Sequence, residues 1–339
     1  MPVRVAVNGF GTIGKRVADA VSKQPDMVLV GVAKTRPSFE ARIAMERGYP
    51  LFVGGDGRLE DFRAAGITVE GTTDEMFKRA DVVVDATPDK MGKEQAPKYE
   101  TAHLKAIYQG GEKPEVAEVS FSALANYPAA LGKSRVRVVS CNTTGIARAA
   151  SVLRARYGVE RWEVTLIRRA ADPAETRKGP VNGILPTFQV PSHHAPDAQT
   201  IFPDLPITTT AVVVPTTLMH LHVNHVRLRR PPASVSDVIA AFQETPRFHI
   251  FRSWERVEGT PQVLEFARDQ LTPRGDMMKN VLWENGVHLD GADLRFFQAI
   301  HQESIVVPEN IDAIRAMFNL APDGESSIAV TDMTLGLRS

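Results

Sequence analysis

Apolar positions in the first part of the chain form short continuous runs separated by polar, helix-compatible stretches. Residues 3–7 have the pattern of a buried strand and lead into Asn8-Gly9-Phe10-Gly11-Thr12-Ile13-Gly14, after which residues 15–22 carry the period of an amphipathic helix. A second strand over 27–33 ends at Lys34-Thr35-Arg36-Pro37. Residues 67–70 predict a short strand and 73–79 a helical turn whose Asp74 and Glu75 suit the N-terminal dipole. Residues 81–86 are nearly all apolar, as in a parallel strand covered on both faces, and close in the turn Thr87-Pro88-Asp89. A polar helix over 90–100 is followed by strands at 105–108, 116–119 and 136–139. The last of these runs into Ser140-Cys141-Asn142-Thr143-Thr144-Gly145 and an Ala-rich helix from about 146 to 157. Strand and helix in alternation predict an α/β domain with a Rossmann-type, doubly wound parallel sheet.

Beyond residue 158 the rhythm changes. Residues 162–168, 212–215, 218–228 and 286–297 alternate like half-exposed strands, with helices only at 236–243 and 261–268. Long alternating strands with few helices between them predict a second, α+β domain on a mainly antiparallel sheet. Residues 170–206 are rich in Pro, Gly, Thr and His, and a loop of that length inside a compact domain is usually functional. A final amphipathic helix is predicted at 310–319, preceded by Pro308.

Composition excludes several classes. With 339 residues the chain is long enough for two domains; 40 basic and 40 acidic side chains leave no net charge. No block of like charge marks a nucleic-acid or membrane surface, and no apolar run approaches the ~20 residues of a membrane span. One cysteine makes no internal disulfide, which fits a reducing compartment.

That cysteine is the first chemical candidate. Cys141 sits where a strand gives way to a helix, and free N–H groups there favour an anion, drawing a thiol toward thiolate. A lone cysteine is otherwise an inert core residue, but polar neighbours on both sides argue for a nucleophile. The glycines come next. Gly9, Gly11 and Gly14 lie between a strand and a helix, giving respectively a tight turn, close backbone approach to a pyrophosphate and close helix–sheet packing. At the end of the second strand, where an NAD site places an acid, stand Lys34, Thr35 and Arg36. A cationic, hydroxyl-bearing turn predicts NADP, with NAD tolerated. Thr87 ends a parallel strand, the position at which open α/β sheets bind ligands.

A nucleophile working on a carbonyl also needs a proton-transfer partner, and histidine is the natural one near neutral pH. Five of nine histidines fall in two places: His193-His194, and His220, His222 and His225. His220 and His222 share one face of a strand, while His222 and His225 are read as structural. A metal site is not predicted, since neither a further cysteine nor an acid at ligand spacing supports one. Arg168-Arg169 close a strand, and two guanidiniums there can clamp a phosphate.

Seven segments together resemble the archaeal-type phosphorylating glyceraldehyde-3-phosphate dehydrogenases. They are Asn8 to Ala20, Tyr108-Gln109-Gly110-Gly111-Glu112, Ser140 to Gly145, Arg168-Arg169-Ala170-Ala171-Asp172-Pro173, Ser192-His193-His194, Thr217-Leu218-Met219-His220 and His301-Gln302-Glu303-Ser304. Asn142 after the cysteine, and Gly145 with no second thiol, depart from the Ser-Cys-Thr-Thr-Asn-Cys pattern of the bacterial and eukaryotic branch. The resemblance implies Cys141 as nucleophile and His220 as its base or acid partner. It implies cofactor contacts at Thr12, Ile13, Gly111, Arg169 and Gln302, and substrate or phosphate contacts at Ser140, Asn142, Arg168, His193 and His194. It further implies a nucleotide domain over 1–140 completed by a C-terminal helix in 303–339, a catalytic domain over 141–302, and a cytoplasmic homotetramer in glycolysis and gluconeogenesis. The implied reaction oxidises glyceraldehyde 3-phosphate with NADP or NAD and inorganic phosphate to 1,3-bisphosphoglycerate, through a Cys141 thioester. Aspartate-semialdehyde dehydrogenase is the nearest enzyme rival; the paired arginines and histidines favour a phosphorylated substrate over it. A cofactor-binding regulator without turnover is the rival of another class.

Overall fold

A computed structural model describes residues 1–88, 90–109, 111–171, 179 and 182–337. Asp89 of the first ligand-side turn, Gly110, and the Asp172-Pro173 pair named above lie outside the described residues. The chain forms two compact units, one of residues 1–140 with 306–339 and one of residues 141–305.

The first unit carries a seven-stranded parallel sheet in the order β3-β2-β1-β4-β5-β7-β6. The strands are β1 (Val3–Asn8), β2 (Met27–Lys34), β3 (Leu51–Val53), β4 (Val82–Asp85), β5 (Lys105–Tyr108), β6 (Val119–Phe121) and β7 (Arg135–Val138). All four residues of β4 are buried, as expected of a strand covered on both faces. The strand expected at 67–70 is absent. Those residues run extended beside β3, with Glu70 N–H donating to the Leu51 carbonyl at 2.8 Å, but form no ladder of their own. Residues 114–116 are a 3-10 turn, and the strand expected at 116–119 begins only at Val119, because the Val116 and Ala117 N–H groups are taken up by that turn, donating to the Lys113 and Pro114 carbonyls at 3.2 Å. The helix predicted as the final one, Val307–Met317, starts three residues earlier than its apolar period shows, with Pro308 in its first turn, where the missing N–H costs nothing. Its Glu309 accepts from the Ala123 N–H at 2.6 Å, and Lys105 Nζ caps the Met317 carbonyl at 2.7 Å. It is followed by a further helix, Gly324–Leu335, whose N-cap Asp323 accepts from the Ser326 N–H at 2.8 Å.

The second unit carries a mixed, largely antiparallel sheet of seven strands in the order β12-β13-β14-β11-β8-β10-β9. They are β8 (Val159–Arg169), β9 (Leu185–Thr187), β10 (Ile207–Val214), β11 (His220–Leu228), β12 (Phe248–Phe251), β13 (Asn280–Asp290) and β14 (Asp293–Ile300). Two pairs, β8 with β10 and β12 with β13, are parallel. The single alternating run read at 286–297 is a hairpin that turns at Gly291, where φ is +57°. Trp162, Val164 and Leu166 of β8 point to one face, where they pack with Ile146, Ala150 and Leu153 of the helix Cys141–Arg156 and with Phe242 and Phe296. Trp162 Nε1 donates to Asn224 Oδ1 at 3.1 Å, so the largest core side chain leaves no polar atom unpaired. The long loop read at 170–206 contains β9 and the helix His194–Gln199.

Candidate active site

In the first unit the glycine turn is built by steric necessity. Gly9 has φ +102°, and a Cβ there would meet the Ala86 carbonyl oxygen at 2.6 Å. A Cβ on Gly14 would sit 1.7 Å from the Gly9 carbonyl oxygen, while one on Gly11 would meet nothing within 4 Å. The turn therefore closes on itself at Gly9 and Gly14 and stays open at Gly11, which is the shape a pyrophosphate needs. Gly14→Ala is expected to cost about 1–3 kcal/mol of stability and to weaken dinucleotide binding, read by thermal melting and a binding titration. Unchanged affinity would remove this turn from the binding site. Thr12 and Ile13 form the start of the helix Gly14–Val21, with Arg16 Nη1 donating to the Thr12 carbonyl at 2.8 Å. Asn8 and Asp85 end the paired strands β1 and β4. Asp85 accepts from the Thr87 N–H at 2.9 Å and from the buried Tyr99 hydroxyl at 2.5 Å, which fixes the turn carrying Thr87; burial raises its carboxyl above the usual range. Lys34 is half-buried and pairs at 3.6 Å with Glu40, an acid six positions on that local spacing alone did not tie to it. Thr35 and Gly111 are exposed, and Ser140 is half-buried at the end of its unit.

The second unit gathers its chemistry where strand ends meet. Leu221 of β11 pairs with Ile167 of β8, and His220 pairs with Ile300 of β14. The register thus brings Arg168 and Arg169, His220, and the segment from His301 to Ser304 to one edge of the sheet. The Arg169 N–H donates to His220 Nδ1 at 3.0 Å, and the Gln302 side chain is the other hydrogen-bonding neighbour of that ring. Arg169 Nη2 lies 3.3 Å from Glu303 Oε1, both side chains almost fully buried, and His301 Nε2 is 3.1 Å from the other oxygen of Glu303. Glu303 and His301 carried no functional reading in the sequence; only their place in a recurring segment marked them.

Cys141 is the first residue of its helix, five positions before the apolar period begins. It is half-buried, and burial pushes its thiol up to about 12, against the pull of Arg169, the Asn142 N–H and Arg168. The thiol is therefore not drawn to thiolate by the helix end, as the sequence suggested: in the free protein desolvation outweighs the dipole. Burial likewise holds His220 well below its ordinary value, His222 down at about 3 and His194 at about 2. His193 and His194 stack with ring centroids 3.9 Å apart at the start of the helix His194–Gln199, and Thr143 ties that helix to the cysteine helix by donating to Asp197 at 2.5 Å. The Arg168 guanidinium acts on Cys141, His193, His194 and His220 together, and its Nε is buried with no hydrogen-bond partner among the described residues. No cluster of three His, Cys, Asp or Glu side chains able to hold a metal occurs among the described residues.

A Rossmann-type sheet in one unit, and in the next a thiol held among arginines and neutral imidazoles, are the parts of a nucleotide-dependent oxidoreductase. Residues 140–282 match the family model for the C-terminal domain of glyceraldehyde 3-phosphate dehydrogenase, and residues 3–109 match that for the N-terminus of dihydrodipicolinate reductase. Curated relatives named glyceraldehyde-3-phosphate dehydrogenase include one from Archaeoglobus fulgidus, 52% identical over 339 residues, covering 99% of this chain and 98% of its own. Those from Hyperthermus butylicus and Halobacterium salinarum are each 50% identical, over 336 and 338 residues, covering 99% of this chain and 97% and 100% of theirs. The chain belongs to the glyceraldehyde-3-phosphate dehydrogenase family, and its cofactor is NAD or NADP.

Proposed function

We propose that the protein oxidises glyceraldehyde 3-phosphate with inorganic phosphate to 1,3-bisphosphoglycerate, with Cys141 as nucleophile and His220 as the acid partner that donates a hydrogen bond to the substrate oxygen. The observation that carries the substrate class is the half-buried Arg168 guanidinium, its Nε buried and unpartnered among the described residues, acting on the thiol and on His193 and His194. A cation with an open donor beside a nucleophile suits a phosphate oxygen. Arg168, His193, His194, Ser140 and Asn142 are assigned to substrate and phosphate. Gly9, Gly11, Thr12, Ile13, Gly14, Lys34, Thr35, Thr87, Gly111, Arg169 and Gln302 are assigned to the dinucleotide.

Thiol addition forms the S–C bond and opens the C=O bond, and the thiol proton is left on the new hydroxyl. His220 enters as a neutral ring. Because Nδ1 accepts from the Arg169 amide, the ring proton is on Nε2. A second proton would set N–H against N–H at Nδ1, so the arrangement suits a donor to the carbonyl oxygen better than a standing Cys–His ion pair. The residues assigned to the dinucleotide would hold a hydride acceptor for the hemithioacetal carbon, and as the hydride leaves the hydroxyl proton is lost to solvent and the C=O bond re-forms. The thioester left on Cys141 keeps the oxidation energy in the acyl bond until phosphate attacks the carbonyl and the cysteine sulfur departs.

The deciding experiment is reduction of NADP and NAD by the purified protein and glyceraldehyde 3-phosphate, with and without inorganic phosphate. A rate that requires phosphate is expected; turnover without it would make the enzyme a hydrolytic one. Lys34 and Thr35 are assigned to the 2′-phosphate of NADP. Lys34→Ala is expected to raise the KM for NADP about tenfold and to leave that for NAD nearly unchanged. Equal effects on both cofactors would move the 2′-phosphate elsewhere.

The assembly we assign is a homotetramer in the cytoplasm. Its support on this chain is exposed apolar surface in the second unit: Ile184, Leu185, Phe188 and Val190 stand in solvent. The same unit carries an open hollow of about 690 Å³ lined by Ile167, Leu221, Phe251, Trp283 and Phe297. Such area on a single chain marks an interaction surface.

A further inference from the structure

His222 is a residue the reaction as described leaves unused. It is fully buried on β11, and both ring nitrogens are engaged: Nε2 lies 2.8 Å from Asn142 Oδ1, and Nδ1 lies 3.0 Å from Gln298 Nε2. Gln298 Oε1 in turn accepts from Asn280 Nδ2 at 3.0 Å, and the same amide donates to the Gly145 carbonyl at 2.9 Å. Asn142, His222, Gln298 and Asn280 are all buried.

The direction of each bond follows from its two fixed ends. The Gly145 carbonyl only accepts, so the amide facing it is the NH2 of Asn280. On the other side of the same amide, Arg148, which only donates, reaches Asn280 Oδ1 at 3.5 Å. Asn280 therefore donates to Gln298 Oε1, and Gln298 turns its own NH2 to His222. An N–H facing Nδ1 leaves the ring proton on Nε2, and that proton faces Asn142 Oδ1. The polarity set at the helix carbonyl thus travels through three side chains and ends by fixing which end of the Asn142 amide is the donor. Asn142 Nδ2 has no acceptor among the described residues.

We propose that His222 is a positioning residue: it turns the Asn142 side chain so that Nδ2 is presented as a hydrogen-bond donor to the oxygen that gains negative charge at Cys141. The assignment rests on the thioester reading and extends it by naming what Asn142 gives and what holds it. Donors fixed in advance on such an oxygen are among the larger single contributions to acyl-transfer rates. The burial that keeps the His222 ring neutral keeps its tautomer, and hence the Asn142 orientation, constant across the working pH range.

A double-mutant cycle tests it, with kcat and KM for glyceraldehyde 3-phosphate, and dinucleotide affinity, measured for the wild type, Asn142→Ala, His222→Leu and the double variant. His222→Leu is expected to lower kcat about tenfold or more with dinucleotide affinity unchanged, and the double variant to be no slower than Asn142→Ala alone. His222→Gln, whose amide can accept from Gln298 and donate to Asn142, is expected to recover most of the loss. Should His222→Leu not fold, Gln298→Leu takes its place in the cycle, since it removes the donor that sets the ring's tautomer. Losses that multiply, or a glutamine no better than leucine, would make His222 a purely structural residue and overturn the assignment. If the wild type itself fails to turn over, the thioester reading falls and this one with it; an active wild type with multiplying losses removes this one alone.

Discussion

Cys141→Ser is expected to lower dehydrogenase activity by about 10⁴-fold or more and to leave dinucleotide affinity where it was. The expectation is this large because a serine hydroxyl is both a poorer nucleophile and a poorer leaving group than a thiol, and the reaction uses the atom in both roles. The sulfur must add to an aldehyde, then depart when phosphate attacks. In the free protein burial pushes the Cys141 thiol up to about 12, which favours its protonated form. Oxygen in the same surroundings would be further from ionising. The glycine turn assigned to the dinucleotide belongs to the other unit, with Gly9 and Gly14 packed against Ala86 and each other. Its affinity therefore serves as the internal control. The measurement is a pair: steady-state NADP reduction with glyceraldehyde 3-phosphate and phosphate, and a dinucleotide titration on the same preparation. Activity within about tenfold of the wild type would exclude a covalent route through Cys141.

How far the sequence could be read depended on whether the signal was local. β4 was legible because four buried residues in a row leave a strand covered on both faces as the natural reading, and β1 with its glycine turn because a steric requirement at Gly9 and Gly14 is written in residue type. The short strand β3 escaped notice: its residues 51–53 pair with β2 and with the extended stretch ending at Thr72, so its partner, and not its three-residue pattern, makes it a strand. The start of the cysteine helix was placed five residues late because Cys141 to Gly145 are polar or small. They are nonetheless largely buried, held by hydrogen bonds to distant strands such as that between Asn142 and His222. The same cause hid the rest of the site. His222 was taken as structural because a histidine on a strand face carries no mark of what it touches. The pairing of Arg169 with Glu303, 134 positions apart in sequence, depends on the register that puts the ends of β8, β11 and β14 together. Residue types named the chemistry; the sheet register supplied its partners.

The site's neutral imidazoles also set how the protein responds to acid. His194 is held at about 2, His222 at about 3, and His220 well below its ordinary value, all by burial first and by neighbouring cations or imidazoles second where these occur. In the unfolded chain each would titrate near 6.5. At a pH between the folded and unfolded values the unfolded state binds the proton and the folded state refuses it, so stability falls as pH falls. The contribution of these rings is accordingly complete above about pH 6.5 and is lost progressively below it. Each ring costs about 1.4 kcal/mol per pH unit in that window, and the three together about 4 kcal/mol per unit. Denaturant unfolding at pH 7.5 and at pH 5.5 is expected to differ by several kcal/mol, above the range in which ordinary carboxylates begin to titrate. All three rings lie in the unit of residues 141–305, so that unit should lose its structure first while the nucleotide unit still binds dinucleotide. His222→Gln, which cannot be protonated, should flatten the dependence by about a third of its slope. Equal stability at the two pH values would mean that the rings ionise in place, and with it that neither the His220 tautomer nor the orientation of Asn142 is held as the hydrogen bonds describe. The burial that would make these histidines usable as fixed donors is the same burial that is expected to make the unit of residues 141–305 acid-labile.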